Sequence, residues 1–405
     1  MSRRLLIIAA SLIVILGLIA VGYLLFSGSA ELTVSDDPFA GTETTGSVIP
    51  EAASGAGDEV SPGLIRITNN FVAEGFVAIP RISTTTGPVS SDGATSTPDE
   101  VVIQDTEIRF IDRASGNIYR FMAQERALAR ISNKTLPGIQ RASWLPDGTR
   151  AYVQFLSGDE GSEFVATYML PETGEGGFFL EQGLRAALAV GSDSLFTLLS
   201  GTTGSVGSVA QADGTNTRTL FTSPISSLVV QPTNDSYFAH TKASSQIDGY
   251  SFQINATSGA FTRLLGPLRG LASLPSPDSS RLLYSYLDRG TTRLAVLDVT
   301  SRSPTALPLA TLPEKCVWAP DSSAVYCAVP TSLPRVLPDA WYQGAVVLSD
   351  RIWRISMTDR LATLVVDPGA VADVSIDAVA LTLDPNQDVL VFTDKHNGSL
   401  WMYDL

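Results

Sequence analysis

From residue 63 onward, apolar and polar residues alternate in short runs, and the runs keep breaking at one kind of place. RASWLPDGTRAYVQF (141–155), LASLPSPDSSRLLYSYL (271–287), KCVWAPDSSAVYCAV (315–329) and LTLDPNQDVLVFTD (381–394) share one grammar. An alternating stretch reaches Pro, then Asp or Asn, then two small or polar residues, and a second apolar stretch comes after. Fainter copies lie at 187–199 and 228–241. Period-two alternation puts one face of an extended chain into a core. Pro presets φ in the break, and Asp bonds the backbone two residues on, so each copy predicts a β-hairpin.

Two further strands succeed each hairpin, as in TTRLAVLDVTSRSPTALPL (291–309) and YSFQINATSGAFTRLL (250–265). First strands placed near Phe71, Ile139, Arg185, Ile225, Leu268, Leu312 and Val374 recur mostly at about 40 to 46 residues, the length of a four-stranded propeller blade. The two longer spacings each hold an insertion: polar 81–100 between the first two strands of the first unit, and 330–349 between the second and third strands of the sixth. The last unit ends after three strands, and GLIRITNN (63–70) resembles the missing fourth. The expected fold is all-β: a seven-bladed β-propeller closed by an N-terminal strand, since closure leaves no unpaired edge. A six- or eight-bladed ring is the alternative.

The pattern differs before residue 63. Residues 5–26 are apolar and uncharged behind Arg3 and Arg4, which predicts a transmembrane helix with residues 1–4 in the cytoplasm. A signal peptide cut near Gly28-Ser29-Ala30 is the rival reading, disfavoured because the apolar run exceeds the usual h-region. Residues 27–62 are rich in Gly, Ser, Thr and acids and read as a disordered stalk. The organisation is thus 1–4, 5–26, 27–62, and a propeller over 63–405 on the extracytoplasmic side.

Composition narrows the chemistry. The net charge is −14 with no basic stripe, which excludes nucleic acid as a partner; two His and two Cys in 405 residues argue against zinc or iron–sulfur, and no cofactor is implied. No GxSxG elbow is present, and His240 and His396 fall in or beside strand patterns, so no catalytic motif is recognisable and the chain reads as a non-enzyme. Turn acids Asp147, Asp278 and Asp321 recur with the hairpin and are read as caps. Cys316 and Cys327 flank PDSS symmetrically, face each other across the hairpin, and suit a disulfide in an exported domain.

The strongest candidate for function is the sixth-blade insertion, where Arg335, Trp341, Tyr342 and Gln343 cluster. Trp, Tyr and Arg anchor interfaces. The competing reading folds these aromatics back to plug the blade. The repeated Pro-Asp-Gly and Pro-Asp-Ser hairpins resemble those of TolB-type and related WD-like bacterial propellers over most of 63–405. That resemblance implies a binding platform in the cell envelope, and in some members an attached peptidase domain. TolB's role is not carried over, because the N-terminal segment here reads as an anchor rather than a helical domain. The expectation is a membrane-anchored binding or scaffolding module for an envelope or extracellular protein, peptide or glycan. The alternative is a hydrolase or lyase using carboxylates at the central channel.

Overall fold

The computed structural model describes residues 58–86, 100–159, 161–334 and 337–405. First strands begin at Val77, Ile139, Leu184, Leu228, Ala272, Cys316 and Ala378, evenly spaced except across the two blades that carry insertions. Each opens an antiparallel sheet of at least four strands, and seven such sheets form the propeller. The blades occupy 77–130, 139–179, 184–223, 228–269, 272–306, 316–366 and 378–404.

Blade 7 has three strands of its own, and Leu64–Arg66 completes it by pairing antiparallel with Leu400–Asp404. One strand more is present than alternation indicated: Asp58–Ser61 pairs outside Leu64–Arg66, so the segment read as stalk to residue 62 is a strand at its end. The segment 5–26 and the rest of 27–62 lie outside the described residues. Among the described residues no helix is long and apolar enough to cross a membrane.

The shared turn has a single geometry. Asp147 Oδ1 accepts from Thr149 N at 3.0 Å, Asp278 Oδ1 from Ser280 N at 3.1 Å, and Asp321 Oδ1 from Ser323 N at 3.0 Å. The next residue takes the left-handed conformation in each: Gly148 at φ 73°, Ser279 at 60° and Ser322 at 58°. In blade 7 the cap is the buried Asp384, ahead of the proline, whose Oδ2 accepts from Asn386 N at 3.1 Å. The first-blade insertion also begins later than polarity suggested. Val77–Thr86 and Glu100–Ile111 pair as far as Thr86 with Glu100, because the run Ile82 to Thr86 is largely β-branched and suits a strand.

Inward-facing alternate residues of neighbouring blades form the core. Ile65 and Met402 pack with Ile108 and Phe121 where the ring closes. Between blades 5 and 6 the wall is Leu283 and Leu294 against Trp318, Val325 and Ile355. Fully burying each such side chain contributes about 1.5–3 kcal/mol.

Candidate functional site

The sixth-blade insertion leaves the strand Ala324–Pro330, forms a short helix at Asp339–Tyr342, and returns to Asp350–Ser356. Trp341 is only 4% exposed and packs with Leu312, Leu337 and Leu348. Its indole N–H donates to both carboxylate oxygens of Asp377, at 3.2 and 3.0 Å. The Lys395 ammonium lies 3.7 Å from the ring centroid and donates to the Trp341 carbonyl, while Lys315 Nζ lies 5.1 Å from the ring. Trp341 is therefore not an exposed interface anchor. A buried indole needs an acceptor for its N–H, and Asp377 supplies one only inside the fold.

Asp377 belongs to a buried charge cluster. Lys315, fully buried, donates to Asp377 Oδ1, to the Ala378 carbonyl at 3.0 Å, and pairs with Asp350 Oδ2 at 2.8 Å. Burial pushes the Asp350 carboxyl up to about 6 against the pull of Lys315. Leu348 N donates to Asp377 Oδ2 at 3.0 Å, which ties the returning chain to the same carboxylate. Cys316 comes directly after Lys315, faces Cys327 in register, and forms a disulfide with it at a Cα separation of 4.1 Å. Both cysteines are buried in the wall between blades 5 and 6.

Tyr342 is half-buried, and its hydroxyl donates to Glu314 Oε1. Burial raises the Glu314 carboxyl above the usual carboxylate range, and its Oε2 is buried with no partner. Burial first, and then Glu314, also hold the Tyr342 hydroxyl in its protonated form. Gln343 is exposed, and Arg335 lies outside the described residues. Asp339 Oδ2 accepts from Ser245 N of blade 4 at 2.6 Å, so the insertion is pinned across blade 5.

Glu314 and Tyr342 form part of the wall of a funnel of about 610 Å³. Its other walls come from the first and second strands of blades 2, 3 and 4, from Ala380 of blade 7 and from Glu74 ahead of blade 1, which places it on the ring axis. The volume lies in the range of ligand pockets. Ala187, Leu188, Val229 and Val230 make the wall aliphatic. Arg141 is paired with Glu74 at 3.1 Å, both exposed; Arg185 and Lys242 are exposed and have no ion-pair partner among the described residues.

His240, 2% exposed, also lines the funnel; its Nδ1 lies 3.3 Å from Ser273 Oγ, which lies 3.1 Å from Ser251 Oγ. Burial lowers its pKa to about 4, so the imidazole is neutral at pH 7. No described carboxylate bonds to it, and Ser273 is itself buried, so the pair is a hydrogen-bond chain between blades 4 and 5. Among the described residues no group of three or more His, Cys, Asp or Glu could hold a metal ion. Sequence reasoning missed the funnel cations and the Lys315 cluster. No local signal marked the lysine, since other repeats also place polar residues there, such as Arg141 in blade 2 when counted back from the shared turn.

The sequence matches no protein-family model and no curated protein. Its architecture is shared with many solved structures. An oligogalacturonate lyase in complex with manganese superposes with a TM-score of 0.52 at 11% identity, covering 81% of this chain and 97% of that one. An oligogalacturonate lyase from Vibrio parahaemolyticus gives 0.52 at 8%, covering 82% and 98%. TolB from Acinetobacter baumannii gives 0.43 at 10%, covering 71% and 78%. At such identities the likeness shows the fold alone. It nevertheless overturns the reading of the chain as a non-enzyme: structures of the same architecture include lyases, so a missing hydrolase motif no longer argues against catalysis.

Proposed function

We propose that the chain is a propeller that binds a peptide or glycan of the envelope or extracellular space at the axial funnel, beside the sixth-blade insertion, with 5–26 as its membrane tether. The funnel carries this reading: a ligand-sized concavity on the ring axis, with aliphatic walls and exposed cations on an otherwise acidic chain. The insertion serves the site from the side. Trp341 and the Lys315 cluster fix its base, which leaves Tyr342 to shape the wall.

Val229 is 37% exposed in the funnel, so Val229→Trp fills the space without disturbing the core. Crosslinking in the native envelope should lose the captured partner in this variant while the melting temperature stays unchanged. An unaltered set of crosslinks would refute the funnel as the binding site.

One observation favours a second reading, a hydrolase or lyase in the same funnel. Glu314 contributes to the funnel wall and burial holds it toward its protonated form, the state from which a general acid donates. Under that reading Glu314→Gln abolishes turnover of a bound ligand and leaves its affinity intact. Turnover that survives Glu314→Gln would refute that role of Glu314.

A further inference from the structure

We infer that the funnel recognises the free carboxyl terminus of an extended peptide whose last side chain is aliphatic. The inference rests on the funnel being the binding site and names what enters it.

Charge comes first. Of the exposed cations lining the funnel, Arg141 is neutralised by Glu74. Arg185 and Lys242 are the remaining cations of the wall, with no ion-pair partner among the described residues, in a chain of net charge −14. They come from adjacent blades and from the same end of them. Arg185 is the second residue of Leu184–Val190, and Lys242 is the first residue past Ser236–Thr241. In an antiparallel sheet, the start of a first strand and the end of a second lie at one end of the blade. Two cations at the same end of adjacent blades suit a single carboxylate, which accepts charge-assisted hydrogen bonds from both.

The wall then discriminates among carboxylates. Further along the strand of Arg185 lie Ala187 and Leu188, and Val230 stands on the strand Leu228–Pro232 that pairs with the one leading to Lys242, so the wall near the cations is aliphatic. Both tyrosines of the wall have committed hydroxyls, Tyr152 to the Ala212 carbonyl at 2.7 Å and Tyr342 to Glu314. An acidic glycan presents hydroxyls along its whole length and would set part of them against Ala187, Leu188, Val229 and Val230, with Ser143, Gln154 and Gln231 among the uncharged polar side chains of the wall. A peptide terminus presents one carboxylate and one side chain, which match the cations and the wall respectively. A free C-terminus ending in Leu or Val satisfies both, and an amidated or internal segment offers the cations no charge.

The test uses the full chain in detergent and a fluorescein-labelled hexapeptide ending in Leu-Val, as the free acid and as the C-terminal amide, with oligogalacturonate as the glycan arm. The acid should bind at least about tenfold more tightly than the amide, a preference that weakens with salt. Arg185→Gln with Lys242→Gln should erase that preference, whereas Arg185→Lys with Lys242→Arg should keep most of it. Both pairs sit at exposed positions, and an unchanged melting temperature verifies folding.

Equal affinity for acid and amide, no binding of either, or a preference that survives the double Gln variant overturns the inference. Oligogalacturonate binding that the double variant abolishes, in place of peptide binding, overturns it in favour of a glycan. The funnel reading is judged separately by Val229→Trp. If that variant loses the envelope partner while the peptide acid shows no preference, the funnel stands and the carboxyl-terminus assignment falls.

Discussion

Blades 5 and 6 carry the same turn, Pro277-Asp278-Ser279-Ser280 and Pro320-Asp321-Ser322-Ser323, and bond it the same way. The two blades part after their second strands. Blade 5 passes from Arg281–Asp288 to Thr291–Asp298 through Arg289 and Gly290 alone. Blade 6 instead sends out the insertion, which returns only at Asp350. The first strands differ at one matching position as well: counted back from the shared turn, blade 5 has the buried Ala272 where blade 6 has the buried Lys315. Building a blade and holding an insertion are thus separate tasks. The turn and its alternation suffice for blade 5. In blade 6, a buried cation and two carboxylates from distant strands fix the long connection in place.

The sharpest way to break the comparison is to give blade 6 the residue of blade 5. Lys315→Ala leaves Asp350 and Asp377 buried without their cation, and leaving a buried charge unpaired costs about 3–5 kcal/mol. Urea unfolding should show a loss of that size. A loss below about 1 kcal/mol would mean that the cluster does not hold the insertion.

That cluster also marks the limit of what the sequence discloses. Blade number, closure by Leu64–Arg66 and the capping role of Asp147, Asp278 and Asp321 come from local rules, two-residue alternation and turn chemistry, that repeat along the chain. Asp58–Ser61 was not legible because an edge strand of DEVS has no alternating apolar face to announce it. Trp341 was legible both as an interface anchor and as a plug of the blade, and the sequence could not decide between them, since its acceptor Asp377 is remote in the chain and no periodicity links them. The funnel was invisible for the same reason: Arg185, Lys242 and Glu314 belong to three different repeats, and only ring closure brings them to one wall.

Blade 5 meets blade 4 through a different chemistry, and pH should expose it. His240 is neutral in the fold with a pKa lowered from 6.5 to about 4, so the unfolded chain takes up the proton first as pH falls. Its contribution is complete above pH 6.5 and is lost on acidification toward 4, on the order of 3 kcal/mol. Asp350 acts oppositely, because a carboxyl raised from 3.8 to about 6 favours the folded state as pH drops through that window. The difference between wild type and His240→Gln isolates the histidine: the variant should lose correspondingly less stability between pH 6.5 and 4. Parallel stability curves would show that the imidazole is not buried in its neutral form.

The interface of blade 5 with blade 6 is covalently braced on one side only. Cys316 and Cys327 close a short loop within one hairpin, and a loop of that length contributes about 2–3 kcal/mol through the unfolded state. Adding dithiothreitol, or replacing both cysteines with Ser, should lower stability by about that amount. The binding preference of the funnel should not change, since Arg185 and Lys242 sit on blades 3 and 4. If reduction alone abolished ligand binding, the disulfide would be part of the site rather than of the scaffold.

The smallest effect lies in the turns themselves. Ser279 and Ser322 occupy left-handed positions where Gly148 needs no Cβ, a conformation that costs a non-glycine residue about 1–2 kcal/mol. Each hydroxyl also reaches the preceding blade. Ser279 Oγ lies 2.7 Å from Thr233 Oγ1, and Ser322 Oγ accepts from Asp278 N at 3.3 Å. Glycine relieves the backbone in both and removes the contact in both, and a bond near 2.7 Å is worth more than one near 3.3 Å. Ser322→Gly should therefore stabilise the protein by up to about 1 kcal/mol, and Ser279→Gly by a few tenths less, as read from paired thermal melts. The reverse order would mean that the turns of blades 5 and 6 are not equivalent even where their sequences agree.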